Sequence, residues 1–274
     1  MQMQKKSLEI CCYVCGAGAF SVFLRWLQDQ LAFNEEGLVD KSVFNFLVPA
    51  FIIVCAFVFL RFVDGFKSRR FYLPDSFNEA FSNEGKLFTF FRWTFGIIMS
   101  AGAILLLAQC EMDKEAGFLR ILAVLGFFSG LSYPIILSAA NKPLRHSGIL
   151  CLLSVMPILL YSMWLITCYK MNDINSVVWA FSIEIITVIV AMLAYFRIAG
   201  FLFGVPLGNR SMFLSMLCAA MCIMVIADER YIGMQMMFFA SAGQMILYNW
   251  IMIKNLRQKK PQFEMTMDDG FERL

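Results

Sequence analysis

Charge is scarce in this chain. Only 16% of its 274 residues are Asp, Glu, Lys or Arg, where an average soluble domain has about a quarter. Hydrophobic residues make up 60%, and the mean hydropathy is +0.69. A water-soluble fold has too few polar side chains here to cover its surface, whereas a bilayer accepts an apolar one. Histidine is nearly missing: His146 is the only one, which excludes paired-histidine haem ligation and multi-histidine zinc sites. The chain has no GxSxG elbow, HExxH, Walker A sequence or dinucleotide fingerprint, the spacings that carry hydrolysis, metal catalysis and nucleotide binding. No lysine lies inside an apolar run to carry a Schiff base. These absences weigh against an enzyme, imply no cofactor or metal, and leave no basis for a nucleic-acid partner.

The nine cysteines do not form a disulfide framework. Cys55, Cys151, Cys218 and Cys222 lie within apolar runs, where a thiol acts as a small hydrophobe. Cys110 and Cys168 end two runs on the same expected side, and the spacing leaves their pairing open. Cys11-Cys12-x-x-Cys15 lacks a fourth ligand and fits acylation near a membrane surface better than metal binding.

Eight apolar runs are present: Ile10–Leu24, Ser42–Leu60, Trp93–Cys110, Ile121–Asn141, Ser147–Tyr169, Ile174–Phe196, Ser211–Ala227 and Tyr231–Ile253. A spanning helix takes roughly 17–25 residues to cross a hydrocarbon core of about 30 Å. The runs do not alternate apolar with polar residues as barrel strands do. The expected fold is all-α: a polytopic membrane bundle of eight transmembrane helices arranged as four antiparallel hairpins. The first run continues into an amphipathic stretch, Trp26–Phe33, so it reads as a retained span rather than a cleaved signal. Residues 1–260 form one domain in this reading, and 261–274 a flexible tail.

Basic residues set the orientation. With the N-terminus inside, the inner side holds Lys5 and Lys6; Arg61, Lys67, Arg69, Arg70, Lys86 and Arg92; Lys142 and Arg145; Arg197 and Arg210; and Lys254, Arg257, Lys259, Lys260 and Arg273. The outer side holds Lys41, Lys114, Arg120, Lys170 and Arg230. Both termini are therefore expected in the cytoplasm, in a plasma membrane of the bacterial cytoplasmic type. The long inner loop 61–92 carries Ser76-Phe77-Asn78-Glu79, a capping-box pattern, with Phe77 and Phe81 one turn apart. That pattern predicts a short helix lying at the membrane surface. Lys67, Arg69, Arg70, Lys254, Arg257, Lys259 and Lys260 compose a basic patch for anionic lipid, or for a membrane or cytoplasmic protein partner.

Small residues mark expected helix contacts: Gly126 and Gly130 in the fourth run, Gly96, Ser100 and Ala103 in the third, and Cys15–Ala19 in the first. Pro49, Pro134 and Pro157 lie inside runs and shape them.

One charge interrupts a run well inside its length. Glu184 lies roughly 10 Å below the expected outer surface, and an ionisable group at such depth is a candidate for function. Ala180, Glu184, Thr187, Ala191 and Tyr195 share one small or polar stripe, which turns Glu184 toward the bundle. Depth matches it with Ser241, Gln244 and Tyr248 of the last run, Tyr161 and Ser162 of the fifth, and Arg25. The expected site is an outward polar pocket of Glu184, Thr187, Gln244, Ser241, Tyr248 and Arg25, in which Glu184 binds a cation or relays protons. The competing reading is a structural carboxyl paired with Arg25. At the level of function, the choices are a transporter-like or small-solute or lipid-binding bundle, an accessory or signalling membrane subunit, and an intramembrane lipid-modifying enzyme.

Overall fold

The computed structural model describes residues 2–31, 44–112, 117–142, 147–171, 178–228 and 230–258. The protein is a multi-pass helical bundle, with eight helices long and apolar enough to span a membrane among the described residues. These are α1 (Gln2–Leu31), α2 (Phe44–Ser68), α4 (Lys86–Met112), α5 (Gly117–Ala139), α6 (Ser147–Met171), α7 (Val178–Leu202), α8 (Gly208–Val225) and α9 (Ile232–Lys254). The short α3 (Phe77–Phe81) and two short strands, β1 (Phe71–Tyr72) and β2 (Arg257–Gln258), lie outside the spans.

Helix α9 occupies the centre. It packs against α1, α4 and α8, and almost all of its length is buried. Helix α2 is peripheral: it touches α1, α8 and β1, and Phe46, Ile53, Val54 and Phe57 point outward from it. Apolar side chains face outward on the other spans too, for example Ile97 and Ile104 on α4 and Ile186 and Phe196 on α7. Bilayer hydrocarbon, not water, suits such a surface.

Small residues decide how closely the helices approach. A Cβ on Gly130 would stand 2.8 Å from the Gly96 carbonyl oxygen, and one on Gly126 would stand 3.1 Å from Ala103 Cβ. The small-residue stripes of the third and fourth runs thus meet each other at the α4–α5 seam, a pairing the sequence does not specify, and Pro134 packs directly on Gly96. A second close approach carried no motif: Gly102 of α4 and Gly233 of α9 meet backbone to backbone, with a Cβ on Gly233 only 2.6 Å from the Gly102 oxygen. In α1 the expected stripe is only partly used. Gly18 packs on Ile223 of α8, but Gly16 faces open space and Cys15 is exposed. Helix α1 lies at the bundle's edge, and one of its faces is enough to pack it.

The segment between α2 and α4 differs most from expectation. Helix α2 runs on to Ser68 and α4 starts at Lys86, so the connection is shorter than 61–92. The short helix forms, but Phe77, Ala80 and Phe81 are buried in the protein, not turned toward lipid. Phe81 stands edge-on to Phe201 of α7 and Tyr248 of α9, with centroids 5.2 and 5.6 Å away. Ser76 occupies the N-cap without a side-chain cap bond. The segment is tied from several sides. Asn83 and Asn141 exchange backbone and side-chain bonds of 2.8 and 2.9 Å, and Asn255 donates to the Ala80 and Ser82 carbonyls. Strand β1 pairs antiparallel with β2, Phe71 opposite Gln258. Burying two phenylalanine rings stabilises by roughly 1.5–3 kcal/mol each relative to exposure to water.

Candidate functional site

Glu184 lies about six residues into α7, hence roughly 9 Å along its axis. The stripe that carries it faces inward: Glu184, Thr187 and Ala191 have no exposed surface, and Tyr195 is buried. The opposite face, with Ile186, Ile189 and Leu193, points outward. Small and polar residues on one side and branched apolar ones on the other suffice to orient the helix.

The carboxylate is held by groups from two other elements. Trp164 Nε1 of α6 donates to Glu184 Oε1 at 2.9 Å, and the Cys168 thiol, one turn on, also donates to the carboxylate. On the other oxygen, Arg230 Nη1 forms an ion pair of 2.8 Å with Oε2. Arg230 belongs to the short connection between α8 and α9. Its second nitrogen lies 3.8 Å from Asp228 Oδ2, and Asp228 Oδ1 is paired with Arg25 Nε at 2.8 Å. Arg25 Nη1 also donates to Gln28 at 2.8 Å. The result is a line of alternating sign: Arg25, Asp228, Arg230, Glu184. It joins α1, the α8–α9 connection and α7, with Trp164 of α6 at its end. Two cations and two carboxylates cancel, so each buried charge keeps an opposite neighbour, the condition under which buried charges are tolerated.

Accessibility divides the line. Glu184 is 0% exposed, Arg25 3%, Asp228 6% and Arg230 16%. Arg230 therefore stands between Glu184 and the outside. It lines an open depression of about 480 Å³ with Gln109, Met171, Tyr231, Ile232 and Met234. Arg230 Nε is buried and donates to no partner among the described residues. Gln235 Nε2 braces the connection by donating to the Asp228 carbonyl at 2.8 Å, and Gln109 accepts from the Gly233 amide at 3.2 Å.

The residues expected to share one pocket do not converge. Thr187 donates to the Ile183 carbonyl of its own helix at 2.8 Å. Ser241 accepts from Tyr161 and donates to the Met237 carbonyl. Gln244 accepts from Tyr195 at 2.5 Å. Tyr248 packs edge-on against Tyr133 and Phe81. Ser241 and Gln244 thus belong to a separate, closely packed tyrosine network, in which the Tyr161 and Tyr195 rings stack 5.5 Å apart. Arg25 does belong to the charged line, but through Asp228 rather than by pairing with Glu184. Sequence reasoning missed Arg230, Trp164 and Cys168. The available signal was Asp228-Glu229-Arg230 immediately before an apolar run. That cluster is a loop charge in sequence, and a loop charge carries no depth in one dimension.

Cys110 and Cys168 are both buried and free. Cys11 is buried, whereas Cys12 and Cys15 are exposed. Among the described residues no three His, Cys, Asp or Glu side chains converge as metal ligands. Of the basic patch, Lys67, Arg69 and Arg70 are exposed. Arg257 is paired with Glu79 at 3.1 Å, and Lys254 donates to Asn83 and lies over the Phe88 ring. Lys259, Lys260 and the tail 261–274 lie outside the described residues. Set against family models, curated proteins and solved structures, the chain matches none of them, so its functional reading rests on this buried line of charge and on the depression above Arg230.

Proposed function

We propose that the protein is a transporter-like, solute-binding bundle whose ligand is a small anion held by Arg230. One observation carries this reading: a fully buried carboxylate, Glu184, anchors a guanidinium that lines an open depression. Glu184 does not meet the solute itself. Its cation position is already filled by Arg230, which displaces the reading of Glu184 as a cation site or proton relay. A guanidinium binds carboxylate or phosphate oxygens, and the Tyr231, Ile232 and Met234 side chains line the depression beside it.

In this reading the spans pair as four antiparallel hairpins within one domain, both termini are cytoplasmic, and the depression opens to the outside of a plasma membrane. The excess of Lys and Arg on the other side supports that orientation. The accessory-subunit reading keeps one specific support: Lys67, Arg69 and Arg70 are exposed and make no ion pair among the described residues. A partner docked there would be released by substituting Arg69 and Arg70.

The test uses purified full-length protein in mild detergent and a panel of small mono- and dicarboxylates with inorganic phosphate. At least one anion is expected to raise the thermal midpoint of the wild type and to leave Arg230→Gln unmoved. A panel that shifts neither protein, or both equally, overturns the reading. Uptake of the binding anion into protein-loaded vesicles then separates a transporter from a binding protein.

A further inference from the structure

A second site lies at the opposite end of the bundle, between α1 and α2. The two helices line a groove of about 240 Å³ there. Lys6 of α1 and Arg61 and Arg69 from α2 and its end supply three cations, against one carboxylate, Glu9. None of the three cations is ion-paired with another described residue. The lining changes character along the groove. Lys6 and Arg69 lie near the helix ends, while Tyr13 and Phe62 stack farther in, 5.8 Å apart, with Arg61 at their level over the Phe57 ring. Seven residues separate Lys6 from Tyr13, about 10 Å along the helix axis. A basic rim over an aromatic floor, on the outward edge of a membrane bundle, matches a molecule with an anionic head and an apolar body.

Gly65 is the feature that makes the groove a space rather than a seam. It lines the groove, and a Cβ built on it would meet nothing within 4 Å. Gly130, Gly233 and Gly18, by contrast, serve close contact and have no room for a Cβ. Gly65 leaves open volume instead, on the peripheral helix.

We propose that the α1–α2 groove binds an anionic phospholipid, its phosphate held by Lys6 and Arg69 and its acyl chain laid along Tyr13 and Phe62. A soluble anion would leave the aromatic floor unused. This site is separate from the Arg230 depression and stands whether or not that depression binds an anion.

The experiment titrates the delipidated full-length protein in detergent with phosphatidylglycerol, with phosphatidylcholine, and with inorganic phosphate as competitor, reading bound lipid by native mass spectrometry. Phosphatidylglycerol is expected to bind as a single tight equivalent and phosphatidylcholine far more weakly. Each cation near a membrane surface is worth about fivefold in affinity, so the Lys6→Gln, Arg69→Gln double variant is expected to lose about 25-fold. Gly65→Leu keeps every cation and has room to fold, but fills the groove. It is expected to lose the tight equivalent while retaining wild-type helix content. Equal binding of the two lipids overturns the proposal, as does full displacement by inorganic phosphate. Unchanged affinity in either variant also overturns it, by showing lipid that coats the bundle without a site.

Discussion

Single residues determine which charge is sealed and which is not. Glu184 has no exposed surface, whereas Arg230 borders an open depression. Removing one partner of a buried pair strands the other, at about 3–5 kcal/mol when the stranded charge stays buried. Arg230→Gln strands a carboxylate that has no path to water. Glu184→Gln strands a guanidinium that can turn outward, and Asp228 remains beside it. Thermal unfolding in detergent is therefore expected to show Arg230→Gln as the more damaging change. The double variant should recover part of the loss, with the shortfall from additivity giving the coupling. Equal effects, or strict additivity, would count against the paired geometry. Trp164 and Cys168 belong to the same argument, because each adds a donor that favours the charged carboxylate.

Among the helices, packing rests on glycines whose roles the sequence does not distinguish. Gly130 and Gly16 both lie in small-residue stripes of apolar runs. At Gly130 a methyl would collide with the Gly96 carbonyl at 2.8 Å, and at Gly16 it would meet nothing within 4 Å. Gly130→Ala is expected to destabilise by about 1–3 kcal/mol, the usual effect of overpacking. Gly16→Ala should be neutral or slightly stabilising, because alanine is the better helix former. Comparison of the two midpoints in one detergent checks this directly. The same distinction separates α3 from its expected place. A sequence that places Phe77 and Phe81 on one face says that the face is apolar. It does not say whether lipid or Phe201 and Tyr248 will cover it. Protein covers it, and the bonds between Asn83 and Asn141 hold the segment in place.

Across the whole molecule, the two ends differ in kind. One carries the line from Arg25 to Glu184 beneath an open depression. The other carries α3, the two short strands, the basic α1–α2 groove and a broad polar hollow of about 770 Å³ lined by Asn83, Asn141 and Lys254 among others. The excess of basic residues at the second end predicts that it faces the cytoplasm. In right-side-out vesicles, a tag on the C-terminus is expected to react with a membrane-impermeant label only after permeabilisation. A cysteine introduced into the α6–α7 connection should react at once. The reverse pattern would invert the orientation and place the Arg230 depression inside.

The amino-acid sequence by itself determined that this is a multi-pass helical membrane protein. That property depends on local composition: eight runs long enough to span, almost empty of charge, announce themselves one segment at a time. It also isolated Glu184, because a single charge within an apolar run is visible without neighbours. The side on which Glu184 faces followed from periodicity alone. What Glu184 touches was decided only by tertiary structure. Its partners come from α6 and from the connection before α9, twenty and forty-six positions away. Ser241 and Gln244, which match its depth, were taken instead by Tyr161 and Tyr195. Depth along a helix can be counted in one dimension, but rotation and adjacency depend on how all the helices close on one another, and here the small residues of α4, α5 and α9 set that closure.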